Sequence, residues 1–259
     1  MDESTFRKAL FEFPLGDVRY HEVINSTNDQ ALTWAAGGAP DLALVYAEEQ
    51  TSGRGRGSHR WFTPPGSSLA FSLVLHPLIG EGGSVARYSG LGAVAVCMAL
   101  EKLGLHPEIK WPNDVLIGQR KVSGILAEAT WMGEQLESIV VGIGVNMSPE
   151  AVPASELIDF PATCVEEELK KPVSRLDFLV EILRALLYWR SNLSKDEFLT
   201  AWESRLAFCG ERVSVQMGEG KVKNGRVAGL DKDGSLLLQV DDGQVITVQF
   251  GEVHLRRVL

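Results

Sequence analysis

The stretch from Pro107 to Met147 constrains the fold most. It reads "PEIKWPNDVLIGQRKVSGILAEATW", then Met132, Gly133 and Glu134, then "QLESIVVGIGVNM". Its apolar and β-branched runs are interrupted at Gly118-Gln119 and Gly133-Glu134, pairs that suit tight turns. Consecutive strands joined by such turns are therefore expected here. Gly142 and Gly144 stand two apart in the last strand. Glycine at alternate positions strips side chains from one face of a strand, and a bare face can press flat against a ligand.

The rest of the chain mixes helices and strands. "NSTNDQALTWAAGG" carries a helix start at Ser26/Thr27, with Gln30 as a capping-box partner for Thr27 and Gly37-Gly38 as the stop. "LALVYAEE" and "SLAFSLVLHP" read as strands, the second with Leu69, Phe71, Leu73 and Leu75 on one face. Ser84 is expected to cap an apolar helix reaching about Leu103. Residues 1–20 read as a short helix or arm, and 162–206 as helical. A stripe of Leu176, Leu179, Leu183, Leu186 and Leu187 lies in the second segment, followed by a Ser194/Glu197 capping box. From Gly210 the style changes to short Val/Leu strands separated by Gly and Asp-Gly turns, a small all-β barrel or sandwich of about 50 residues. Two domains are expected, 1–209 and 210–259.

A formal net charge of -9 argues against broad binding to nucleic acid or anionic membranes, so any anion site must be local. Cys97, Cys164 and Cys209 make no metal-ligand spacing with the five histidines, and read as inert thiols in a reducing compartment. "MDESTFRKALFEF" has no apolar signal core, and the apolar stretch Tyr88–Leu100 is too short to span a bilayer. A soluble cytoplasmic protein is expected.

Against that acidic background, "QTSGRGRGSHRW" sets Arg54, Arg56 and Arg60 among Gly53, Gly55 and Gly57. Glycines free the backbone, and guanidinium forks suit phosphate or carboxylate. A solvated basic loop is the plain alternative, and Trp61 could be core or could stack on a purine. "KWPND" adds Lys110, Asn113 and Asp114, "RKVSGIL" adds Lys121 and Gly124, and "GIGVNM" adds Asn146. Taken singly, the lysines could be exposed strand ends and Asp114 a turn residue. Their joint order is harder to read as surface decoration.

"STN", "QTSGRGRG…RWFTPPG", "KWPND", "RKVSGIL" and "GIGVNM", in this order, resemble the successive signature blocks of biotin–protein ligases, over roughly residues 20–259 and including the closing "GEVHLR". The resemblance implies an α+β fold: a mixed sheet with flanking helices like class II aminoacyl-tRNA synthetases, plus a small C-terminal SH3-like β-barrel. It implies ATP and Mg²⁺ as cofactors, biotin as substrate, biotinyl-5′-AMP as intermediate, and a lysine of a biotin carboxyl carrier protein as acceptor. Ser26, Thr27 and Gln50 would hold or line the biotin ring. Gly53 and Arg54 would meet its carboxylate end, and Arg56 the phosphate side. Lys121 would bridge carboxyl and α-phosphate. Gly124, Gly142 and Gly144 would line the slot. Trp61 and Asn146 would hold adenine, with Asn113 beside the nucleotide. Lys110 and Asp114 would manage triphosphate, Mg²⁺ or the incoming lysine, Asp114 being the metal candidate. The sequence departs from the family pattern at His59, where an arginine is common, and Arg60 follows it.

Lipoate or octanoate–protein ligase is the nearest rival, but its signature blocks differ. An RNA-binding module built on the Arg/Gly loop is opposed by the acidic charge. A DNA-binding repressor is not expected either, because only about 20 residues precede the first block.

Overall fold

A computed structural model describes residues 1–77, 84–158, 160–217, 221–249 and 254–257. Gly251–Val253 of the closing block lie outside the described residues. The expected tight turns are present. Gly118 and Gln119 both take positive φ (54° and 66°), as does Gly133 (62°). They link β4 (Pro107–Lys110) and β5 (Asp114–Ile117) with β6 (Arg120–Met132) and β7 (Gln135–Asn146) into an antiparallel run. β3 (Ser68–Leu75) pairs antiparallel with β7, and β2 (Ala43–Gln50) with β3. β1 (Val18–Ile24) lies parallel to β2, completing a mixed seven-stranded sheet, β1-β2-β3-β7-β6-β5-β4. Sequence reasoning did not find β1. As an edge strand it is only partly buried and lacks the alternation that marks a half-covered strand.

β2, β3 and β7 are almost wholly buried because both sheet faces are covered. α2 (Thr27–Ala36) packs small residues, Ala31 and Ala35, against Val45, Val74 and Val140. On the other face lie α3 (Val85–Lys102) and α5 (Arg175–Arg190). Before the sheet comes α1 (Glu3–Leu10), whose Phe6 ring packs at a tilt against Tyr20 and Tyr46. Among the described residues no helix is long and apolar enough to cross a membrane.

Several local expectations need correction. The N-cap of α2 is Ser26, whose hydroxyl accepts from Asp29 N at 3.4 Å, not a Thr27/Gln30 box. Ser84 precedes α3 but makes no side-chain cap; its hydroxyl donates to the Asp233 carbonyl at 2.6 Å. Lys195, not Ser194, is the N-cap of α6 (Asp196–Glu203), with no side-chain bond. The 162–206 segment is three helices, α4 (Val165–Leu169), α5 and α6, broken at a left-handed Lys170 and again after Arg190. Phe178, Leu179, Ile182, Leu183, Leu186 and Trp189 form the buried face of α5. Leu176 and Leu187 fall at its half-buried margin.

The C-terminal strands are β8 (Arg212–Met217), β9 (Lys221–Leu230), β10 (Leu236–Gln239), β11 (Val245–Val248) and β12 (His254–Arg257). They form a separate antiparallel five-stranded sheet, β11-β10-β9-β8-β12. Its β9–β10 turn is fixed by Asp231, whose carboxylate accepts from Asp233 N and Ser235 N at 2.9 and 2.8 Å. Three successive carbonyls of this turn accept from the larger unit: Lys232 from Arg87, Asp233 from Ser84, and Gly234 from Trp111 Nε1 at 2.9 Å. Trp111 lies inside the "KWPND" block, so the small sheet is bonded directly to that segment.

Glu48, at the end of β2, is buried with two cations. Arg175 donates to it at 2.8 Å, and the Met1 amine lies 2.9 Å away. Burial pushes its carboxyl up, but the amine and Arg175 more than offset this, so it lies below the ordinary carboxylate range. A depressed folded value stabilises the fold above the unfolded value, and the contribution disappears as pH falls through the folded one. Glu48→Gln is expected to cost about 3 kcal/mol near neutrality, because it leaves buried positive charge uncompensated. Thermal unfolding followed downward from neutral pH checks this, since the gap between wild type and variant should narrow as Glu48 becomes protonated. A gap that stays constant across the range would contradict it.

Candidate active site

A cavity of about 500 Å³ opens at one end of the large sheet, between the β6–β7 strands and the Arg/Gly segment. The structure brings to it every expected site residue except Gly53. Gly53 serves the segment itself, since a Cβ there would lie 2.4 Å from the Trp61 carbonyl. This close approach lets residues 50–63 fold back as a hairpin. Trp61 N donates to Gly53 O at 2.9 Å, Gly55 N donates to His59 O at 2.8 Å, and Arg54 bridges Arg60. Sequence reasoning expected a glycine-freed basic segment, and the structure shows which backbone pairings it makes. His59 and Arg60 sit exposed at the cavity rim.

The floor is the β6–β7 ladder. Gly124 and Gly144 are cross-strand partners, so two bare positions lie side by side. The Trp61 indole covers them. A Cβ on Gly144 would meet it at 2.3 Å, and one on Gly124 at 3.2 Å. Gly142 is different, because its bare face is filled by Asn28, whose Oδ1 would lie 1.9 Å from an added Cβ. The glycine spacing told of a missing side chain but not of what takes its place.

One end of the cavity is polar and neutral. Gln50 Oε1 accepts from Thr27 N and Oγ1 at 2.8 and 3.1 Å, while its amide donates to Thr63 at 3.0 Å. Buried Ser26 and Thr27, at the start of α2, sit alongside. The other end is cationic. Lys121 Nζ lies 2.5 Å from Asp114 Oδ1, and Lys110 Nζ lies 3.9 Å from Asp114 Oδ2 and 3.9 Å above the Phe160 ring. Two ammonium groups thus lie against one carboxylate, a concentration of cationic groups that suits an anionic ligand. Lys121 is held through its backbone, its N donating to Pro161 O at 2.7 Å and its O accepting from Thr163 N at 2.9 Å. Asn113 is engaged locally, its amide donating to Ile125 O at 2.8 Å. Buried Asn146 donates to Thr163 O at 3.0 Å. Arg56 lines the cavity from the hairpin. Among the described residues no group of three or more His, Cys, Asp or Glu could hold a metal.

Sequence reasoning missed Asn28, Glu128 and the Pro161–Thr163 strap. Asn28 had a signal, since it closes the quoted "STN" block. The strap has no periodicity, and Glu128 acquires meaning only when β6 is set beside α2.

Residues 20–146 match the biotin/lipoate A/B protein ligase family, and residues 208–256 match the biotin protein ligase C-terminal domain. The chain is 35% identical over 233 residues to the biotin–[acetyl-CoA-carboxylase] ligase of Paracoccus denitrificans, spanning 86% of this chain and 94% of that one. The chain belongs to the biotin protein ligase family. It is also 31% identical over 250 residues to the bifunctional ligase/repressor BirA of Bacillus subtilis, covering 94% of this chain and 76% of that protein. Among solved structures, the biotin protein ligase of Aquifex aeolicus in complex with biotin and ATP superposes with a TM-score of 0.80 at 28% identity, over 93% of this chain and 99% of that one. The mixed sheet with flanking helices and the separate small sheet are thus the architecture of this family.

Proposed function

We propose that this chain is an ATP-dependent biotin–protein ligase. It joins biotin and ATP into biotinyl-5′-AMP with release of pyrophosphate. It then transfers the biotinyl group to a lysine of a biotin carboxyl carrier protein, of acetyl-CoA carboxylase or a related carboxylase. The observation that supports this best is the gradient inside one cavity, from the neutral Thr27–Gln50 end, past the flat Gly124/Gly144 floor, to the Lys121–Asp114–Lys110 cluster.

The ureido ring suits the Ser26, Thr27 and Gln50 end, where Gln50 is already oriented by two neighbours. The valeryl chain suits the space beside the Trp61 indole, which itself covers the Gly124/Gly144 floor. In the first step a carboxylate oxygen attacks the α-phosphorus and the bond to pyrophosphate breaks. Both reactants are anionic, so Lys121, passing from Asp114 to the carboxyl and α-phosphate oxygens, stabilises the charge that builds between them. Arg56 adds a guanidinium on the phosphate side, and Trp61 and Asn146 take the adenine. In the second step the neutral acceptor amine attacks the acyl carbon, the bond from that carbon to the phosphate oxygen breaks, AMP leaves, and the nitrogen's extra proton passes to solvent. Asp114, released from Lys121, is the carboxylate that would guide that lysine. Mg²⁺ would neutralise triphosphate charge. A single carboxylate, Asp114, fits an ion carried in by phosphates rather than a resident protein cage. The repressor half of the bifunctional relatives' names is no part of this reading. ATP as co-substrate suits the cytoplasmic location read from the sequence.

The family name also covers lipoate ligases, which are the competing reading. Pyrophosphate release with ATP and Mg²⁺ separates the two: biotin is expected to support it, and lipoate and octanoate are not. Equal turnover with lipoate would overturn the biotin assignment.

A further inference from the structure

Arg54 occupies a position that the sequence offers as an anion ligand. Its guanidinium is already committed to two carboxylates. Nη1 lies 2.7 Å from Asp29 Oδ1 in the first turn of α2, and Nη2 pairs with Glu128 Oε1 on β6. Glu128 is itself held, because its second oxygen accepts from Asn28 Nδ2 at 2.9 Å. The Asn28 carbonyl accepts from Ser72 on β3 at 2.6 Å, and its side chain fills the bare face of Gly142. A continuous polar chain therefore runs from the hairpin into the centre of the sheet.

The charge count sets the role. One guanidinium between two carboxylates carries a local net charge of -1. An incoming carboxylate would have to displace two chain-borne competitors and approach them closely, which is repulsive. The backbone supplies the second half of the argument. Arg54 and Arg60 are bridged, flanked by the Trp61-to-Gly53 and Gly55-to-His59 bonds. Fixing Arg54 thus fixes where Trp61 lies over the Gly124/Gly144 floor. We infer that Arg54 is the anchor of the hairpin rather than a ligand contact, and that Asp29 and Glu128 are positioning residues which set the hairpin over the cavity floor. The kinetic half of this inference rests on the proposed ligation; the proteolytic half does not.

Asp29→Asn, Glu128→Gln and the double variant test it. All remove charge while keeping shape. The first readout is trypsin nicking of the ligand-free protein, since Arg54, Arg56 and Arg60 are its cleavage sites. The double variant is expected to be nicked about tenfold faster, with its thermal midpoint near that of wild type. The second readout is kinetic: KM for biotin should rise about tenfold while kcat changes by less than about threefold, the pattern of lost uniform binding. Unchanged nicking would overturn the anchor. So would a lower KM for biotin, because it would mean that the carboxylates had been withholding Arg54 from the ligand. If Glu128→Gln proves poorly folded, the more exposed Asp29→Asn carries both readouts alone. If wild type ligates no biotin, the proposed function fails while the nicking comparison still decides the anchor.

Discussion

Lys121→Ala is expected to slow biotin-dependent pyrophosphate release by about 100- to 1,000-fold, the effect of removing one preorganised donor at developing charge, ~3 kcal/mol. The fold should survive, because the structural bonds of Lys121 are made by its backbone to Pro161 and Thr163. Its ammonium lies against Asp114 and faces the Trp61 ring 5.5 Å away. Lys121→Arg is not a safe substitute, since a planar fork does not reproduce a compact ammonium. Pyrophosphate release at saturating biotin and ATP, with circular dichroism as the folding control, measures the effect. A folded variant working at the wild-type rate would remove Lys121 from the chemistry.

Trp202→Ala is expected to lower stability by about 3–5 kcal/mol, the usual cost of deleting a buried indole. Trp202 is 0% exposed and fills the junction of α3, α6 and the β9–β10 turn. It lies so close to Gly90 that a Cβ there would sit 2.4 Å from the ring, and a Cβ on Gly234 would lie 2.7 Å away. Its indole N–H has no partner among the described residues. Trp202→Phe should therefore cost much less, since it keeps most of the ring and removes an unpaired buried donor. Urea unfolding of both variants checks the pair. An alanine variant that loses less than about 1 kcal/mol would show that the junction collapses around the gap.

What the sequence showed depended on how far apart the interacting residues lie. The Gly118-Gln119 and Gly133-Glu134 turns were legible because a positive φ is a local demand that few residues meet. α3 was legible because its apolar run is long. The Lys110, Asp114 and Lys121 cluster was legible because the β4–β5–β6 turns bring near neighbours together. Capping was less so. Ser84 and Ser194 satisfy the pattern, but one hydroxyl is drawn to Asp233 and α6 starts one residue later. The Arg54 anchor was not legible, because Asn28 and Glu128 stand 100 residues apart. Their pairing is decided by sheet order, on which neither neighbourhood carries information.

The turn from Asp231 to Ser235 also bears on when a newly made chain becomes competent. Its carbonyls receive donors from residues that lie 145, 149 and 123 positions earlier, Arg87, Ser84 and Trp111. During synthesis those donors leave the ribosome well before their acceptors exist. Trp111 is flanked by Lys110 and Pro112, so its buried N–H stays without its acceptor until residue 234 has been added. Contacts of such long separation close late, after local elements have formed. The segment that carries Lys110, Asn113 and Asp114 therefore gains this bond only when the small sheet docks. A nascent chain that exposes all five signature blocks is still unfinished at the point where two anions would meet.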